Sequence, residues 1–281
     1  MSGTSKVNLL LLPGLLNDAR LFQHQMEDLA DIAHSTVGDL TAGDSIPALA
    51  ASVLAQAPQK FALAGLSMGG YVALEIMRQA PGRVLGLALL DTSARPDTPE
   101  ATANRHKLIE QAEANFQIVL DTLMPKLVHP SRMKYNSIVD TVYSMGHRIG
   151  KDAFVRQQRA IMGRIDSRPH LGKIVGYPTL ILCGRDDIIT PVEVHEEMAN
   201  AIPGSRFVVI EECAHLSTMG QPKLVTAAMR VWLRGIEGQT MSADLSSRFH
   251  GTQDSPVSIM APVDGPALSD VRQYKNSQSS R

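Results

Sequence analysis

Short apolar runs alternating with helical patterns constrain this chain more than any other feature. Val7–Leu12, Thr36–Leu40, Phe61–Ala64, Val84–Leu90, Thr179–Cys183 and Phe207–Ile210 each read as a strand. Several are apolar at every position, as strands covered on both faces must be. The segments between them carry helix signals, and strand–helix alternation is the signature of parallel βαβ units. Ser45 or Asp44 can cap a helix whose inner face includes Leu49, Val53 and Leu54. Thr190-Pro191-Val192-Glu193 reads as an N-cap threonine, a first-turn proline and a capping-box glutamate. Pro222 opens another helix, in which Val225, Met229 and Trp232 recur at helical spacing.

The alternation fails in two places. Residues 95–172 read as helices around Ala101–Gln111, Phe116–Val128, Met133–Tyr143 and Lys151–Met162, an inserted helical cap between two strands. From Gly238 onward, Ser, Gly, Pro and Gln dominate and apolar residues show no period. Such a segment buries too little surface to offset its ordering entropy, so a disordered tail is expected. The expected division is a core of residues 1–94 and 173–237, a cap of residues 95–172 and a tail of residues 238–281.

With 281 residues, 44% hydrophobic, the chain can bury a sizeable core. Its net charge of −1 offers no argument for nucleic acid or an anionic membrane as partner. The run Val7–Leu16 is too short to span a bilayer and is broken by Pro13-Gly14. Cys183 and Cys213 cannot build a disulfide framework and read as reduced, buried thiols of a cytoplasmic protein. Neither a metal nor a cofactor is called for, which leaves a small-molecule substrate as the expected partner.

The chemistry centres on Gly65-Leu66-Ser67-Met68-Gly69, a G-x-S-x-G pentapeptide between an apolar strand and a helical pattern. A sharp strand-to-helix turn there would lift the serine oxygen above the sheet edge, beside the positive end of the helix dipole. A serine hydroxyl needs a base. Of nine histidines, His215 alone follows the last strand on a short loop, at the sheet edge expected to hold Ser67. His195, beside Glu196 and Glu197, reads as part of a solvated helix face. His24 reads as a surface residue, while His106, His129, His147 and His170 fall in the cap without an evident partner, and His250 falls in the tail. An acid must orient the imidazole. Asp187, three residues after Gly184, is the first choice, with Asp186 a loop residue and Asp91, at the end of the strand after the elbow helix, the rival. The oxyanion donors are expected to be the N–H groups of Met68, just after the nucleophile, and Leu15, in the loop after the first strand.

Together, Leu11-Leu12-Pro13-Gly14-Leu15-Leu16, residues 65–70, residues 184–191 and Cys213-Ala214-His215-Leu216-Ser217 make the chain resemble the α/β-hydrolase family over about residues 6–236. The resemblance implies a nucleophile, acid and base at Ser67, Asp187 and His215. It also implies hydrolysis of a carboxylic ester, with lactones, thioesters, carbon–carbon bonds, acyl transfer and perhydrolysis as variants on the same triad. A ligand-binding receptor that keeps a hydrolase pocket is the alternative of a different class. Two departures stand out. Many members have His-Gly where this chain has Pro13-Gly14, and members usually begin with an antiparallel strand pair that has no counterpart here. A trimmed, all-parallel sheet of about six strands is therefore expected.

Overall fold

The computed structural model describes residues 6–249. Six strands, Val7–Leu12 (β1), Ala33–Val37 (β2), Phe61–Leu66 (β3), Val84–Leu90 (β4), Thr179–Gly184 (β5) and Arg206–Ile210 (β6), form one sheet. Their order is β2-β1-β3-β4-β5-β6 and every neighbouring pair is parallel. Ten helices accompany them: Gln23–Asp28 (α1), Ile46–Gln56 (α2), Met68–Gln79 (α3), Pro99–Ala114 (α4), Phe116–Leu127 (α5), Asn136–Met162 (α6), Arg168–Leu171 (α7), Val192–Ala201 (α8), Ser217–Gly220 (α9) and Pro222–Phe249 (α10).

The central strands β3 and β5 are buried at every residue. Alternate side chains of β1 separate into two cores. Leu10 and Leu12 pack with residues of α2, α3 and α8, whereas Leu9 and Leu11 pack with Met229, Leu233 and other residues of α10. Period-two alternation across a doubly covered sheet produces this division.

Expectation and structure part at three elements. The second strand spans Ala33–Val37, not Thr36–Leu40. It is an edge strand whose residues alternate in burial, so it carries little apolar signal. Leu40 is buried because it packs among the core residues beyond the strand end. The threonine cap expected for α8 does not form. The helix starts one residue later, at Val192, and the Thr190 side chain is engaged elsewhere. Finally, α10 runs from Pro222 to Phe249, so helix replaces the first part of the expected disordered tail. The remainder of that expectation, residues 250–281, lies outside the described residues.

Helices α4 to α7 occupy the stretch between β4 and β5. Thr98 caps α4 by accepting the Ala101 N–H, and Asn115 caps α5 by accepting the Gln117 N–H. The two helices expected over Met133–Tyr143 and Lys151–Met162 are one run broken at Gly150, whose φ of 80° an L-residue rarely adopts. These helices share a third core, in which Val119, Leu120 and Phe154 surround Leu16 of the loop after β1.

Candidate active site

Five of the expected residues converge at the C-terminal edge of the sheet, where sites of open α/β sheets lie. Ser67 stands between β3 and α3 with φ 54° and ψ −117°, a strained conformation for a non-glycine residue. The turn depends on glycine. A Cβ on Gly65 would collide with the Gly69 carbonyl, and one on Gly69 with the Leu12 carbonyl. The Ser67 hydroxyl donates to Nε2 of His215 at 2.8 Å. Nδ1–H of His215 donates to Oδ2 of Asp187, also at 2.8 Å, which sets the imidazole tautomer. His215 and Asp187 are almost wholly buried.

Asp187 is held at several points. Its Oδ1 accepts the N–H groups of Ile189 and Thr190, at 2.8 and 3.0 Å, and its Oδ2 accepts the Thr190 hydroxyl at 2.7 Å. Burial alone would raise its pKa, but the charge and hydrogen bond of His215 and the bonds from Thr190 outweigh burial and hold it below the ordinary carboxylate value. Burial likewise lowers the pKa of His215, and the Asp187 charge more than reverses that, leaving it above 6.5.

Asp91 does not reach His215. Its Oδ1 accepts the Gly184 N–H at 2.9 Å and its Oδ2 pairs with the Ser217 hydroxyl. Burial, reinforced by the nearby Asp187 charge, pushes its pKa up to about 8. Asp186 is half-exposed, its Oδ2 3.5 Å from Nε2 of His129, so this histidine does have a partner.

His195 departs from expectation. It is fully buried, its Nε2 accepting the Thr92 N–H at 2.9 Å and its Nδ1–H donating to the Pro191 carbonyl at 3.1 Å. Burial brings its pKa down to about 4. It is a neutral brace between the end of β4 and the loop that carries Asp187. The two cysteines are buried and unpaired, as expected, and burial pushes the Cys183 thiol up to about 12.

Leu15 and Met68 flank Ser67. Among the described residues, neither backbone N–H has a protein acceptor. Met68 begins α3, and Leu15 lies in the loop that follows β1. Leu16, at φ 61°, donates its N–H to Oε1 of Gln157 at 3.1 Å, while Nε2 of Gln157 donates to the Leu40 carbonyl. Gln157, on α6, therefore gives this loop the side-chain support that Pro13 does not. The sequence carries no local signal for it.

Ser67 and His215 open into a cavity of about 440 Å³. Leu15, Tyr71, Ile188 and Ile189 line it together with residues of α4, α5 and α6. Met124 and Met145 are buried in the core beside α10, and neither Met133 nor Met162 lines the cavity. Among the described residues, no helix is long and apolar enough to cross a membrane, and no cluster of His, Cys, Asp or Glu could hold a metal.

The family profile described as "alpha/beta hydrolase fold" matches residues 49–222. The chain belongs to the alpha/beta hydrolase family. Over 198 residues it is 28% identical to the pimeloyl-[acyl-carrier protein] methyl ester esterase of Neisseria meningitidis serogroup C, a match covering 68% of this chain and 76% of that protein. A match to a Mycobacterium tuberculosis protein named as a non-heme bromoperoxidase, BpoC, is 26% identical and covers 59% of this chain. It spans 64% of that relative, just under two thirds of its length. Among solved structures, a thermophilic esterase from Thermogutta terrifontis superposes with a TM-score of 0.76 and 32% identity, over 84% of this chain and 92% of that one. The enol-lactonase from Burkholderia xenovorans superposes with a TM-score of 0.76 at 20% identity, over 83% and 94% of the two chains, a likeness of fold.

Proposed function

We propose that this hydrolase-family protein is a serine esterase that cleaves a carboxylic ester through an acyl-enzyme. The observation that carries the reading is the continuous chain from the Ser67 hydroxyl through His215 to Asp187, with both links at 2.8 Å. In this mechanism Nε2 of His215 takes the Ser67 proton as Oγ attacks the carbonyl carbon. The charge that develops on the carbonyl oxygen meets the N–H groups of Leu15 and Met68. His215 then passes its proton to the departing alkoxide, and the acyl group remains on Ser67. Water, deprotonated by the same nitrogen, attacks the acyl carbonyl carbon, the bond to Ser67 Oγ breaks, and His215 returns the proton to Oγ as the acid departs. Asp187 keeps the ring oriented and stabilises the imidazolium. Helices α4 to α7 serve as the cap that excludes water from the cavity and shapes it for the substrate. The esterases among the relatives support the same reading.

A fluorophosphonate probe tests it. Wild type should be labelled and Ser67→Ala should not, while short-chain p-nitrophenyl esters should be turned over by wild type and lost in His215→Ala. Absence of labelling in folded wild type would point to the receptor reading instead. The relative named as a bromoperoxidase favours one second reading: hydrogen peroxide replaces water at the acyl-enzyme and leaves as a peroxycarboxylic acid. Peracid formation from ester and peroxide, dependent on Ser67, is its assay.

A further inference from the structure

One wall of the cavity holds a polar group that the proposed ester chemistry does not use. Gln158, on α6, has no solvent exposure and lines the cavity beside Ser67 and Tyr71. Its Oε1 accepts Nη1–H of Arg105 at 2.8 Å, which fixes the amide with its oxygen on the guanidinium and leaves Nε2 as the spare donor. That Nε2 is buried and, among the described residues, has no partner. An unsatisfied buried donor is costly and persists where a ligand completes it.

Arg105, on α4, also lines the cavity. Its Nε contacts both oxygens of Asp97, at 3.1 and 3.2 Å. Among the described residues, its Nη2 has no acceptor. Asp97 is shared, since Arg164 donates to it from Nη1 at 2.7 Å and lies 4.5 Å over the Tyr71 ring. Two guanidinium groups therefore face one carboxylate, and the cluster is left with one positive charge. Lys126, which also lines the cavity, adds another. Among the described residues, no Asp or Glu lines the cavity. An apolar pocket with local positive charge and an orphaned donor calls for an anionic acceptor in its occupant.

We infer that Arg105 and Gln158 form a carboxylate-binding subsite, and that the substrate is an ester whose acyl chain ends in a free carboxylate. This rests on the esterase reading and narrows it. The planar guanidinium offers Nη2 to one carboxylate oxygen and Gln158 offers Nε2 to the other, while the apolar lining takes the intervening methylenes. The ester carbonyl then lies at Ser67.

Monomethyl and dimethyl adipate, which differ in the free carboxylate, are the probes. By calorimetry, Ser67→Ala should bind the monomethyl ester about tenfold or more tighter than the dimethyl ester. In wild type the ratio of kcat/KM for monoester over diester should favour the monoester by a similar factor, carried mainly by KM. Arg105→Gln should bring that ratio to near unity. Gln158→Glu, which sets a carboxylate opposite the ligand's own, should invert it, and this variant keeps the test alive should Arg105→Gln unfold. Equal binding of the two esters by Ser67→Ala, or an unchanged ratio in both folded variants, overturns the subsite. Selective binding of the monoester by Ser67→Ala, with no turnover of either ester by wild type, leaves the subsite standing and removes the esterase reading.

Discussion

Adjacent strands β4 and β5 each deliver a buried aspartate to the same sheet edge, and the two carboxyls are put to opposite use. Asp187 follows β5 on a loop whose Ile189 and Thr190 N–H groups and Thr190 hydroxyl point at it, and it faces His215. Asp91 ends β4 with one backbone donor and the Ser217 hydroxyl, and it faces no cation directly. Both are removed from water. The number of donors and the opposite charge decide which one ionises, and once Asp187 is charged its field adds to the burial that keeps Asp91 protonated. Burial of an acid is therefore no guide to its role; the count of its donors is.

Exchanging the ionised carboxyl is the strongest way to break this contrast. Asp187→Asn should lower kcat by about 10⁴ while the protein stays folded, because the amide donates to Nδ1 and imposes the wrong imidazole tautomer. A loss no larger than that of Asp91→Asn would make the two acids interchangeable and remove Asp187 from the mechanism. The pH profile follows in size. His215 must be neutral to act as base, and its pKa is raised above 6.5, so kcat/KM should rise with pH through an acidic limb lying above 6.5. Below the limb the fall is about tenfold per pH unit. An acidic limb below 6.5 would contradict the pairing with an ionised Asp187. Thr190→Val comes next. It removes the hydroxyl donor that shares Oδ2 with His215 but keeps the backbone N–H, so kcat/KM should fall by about tenfold and the acidic limb should move up, since a carboxylate with one donor fewer holds the imidazolium proton more tightly. An unmoved limb would leave Thr190 a packing residue only.

The sheet was legible because parallel strands buried on both faces have to be apolar throughout: β1 and β4 match their expected bounds and β3 and β5 extend theirs slightly. The half-exposed edge strand β2 lacked that signal and was placed too late. At the site, the glycine spacing around Ser67 and the loops after β5 and β6 were readable, since each motif is local. Thr190 was misread as a helix cap because a threonine before a proline satisfies the capping pattern whether or not a carboxylate competes for its hydroxyl. His195 was misread because Glu196 and Glu197 make its neighbourhood polar. Helical geometry nevertheless places it beside Val194 and Met198 on the buried face. Gln157, Gln158 and Arg105 had no local signal at all. Gln157 meets Leu16 across 141 residues, and Arg105 meets Gln158 across 53, contacts that exist only once α6 has packed against the core.

Asp91→Asn is the mildest substitution and tests the other half of the contrast. Asn tolerates the left-handed backbone at this position, where φ is 42°, and can keep the acceptor for Gly184 while offering a donor to Ser217. Its kcat should stay within about threefold of wild type, since Asp91 hydrogen-bonds with Gly184 and Ser217 and makes no hydrogen bond to His215. Stability should change instead, and in a pH-dependent way. The folded protein holds the Asp91 proton up to about pH 8, whereas an unfolded aspartate releases it near 3.8. Between those values unfolding releases a proton, so wild type loses stability as pH rises. Asparagine has no such proton. The gap in denaturant midpoint between Asp91→Asn and wild type should therefore move in favour of the variant from about pH 4 to about pH 8 and then flatten. A gap that stays constant over that range would mean that Asp91 is ionised in the folded protein, and the two carboxylates would then compete for the same imidazole.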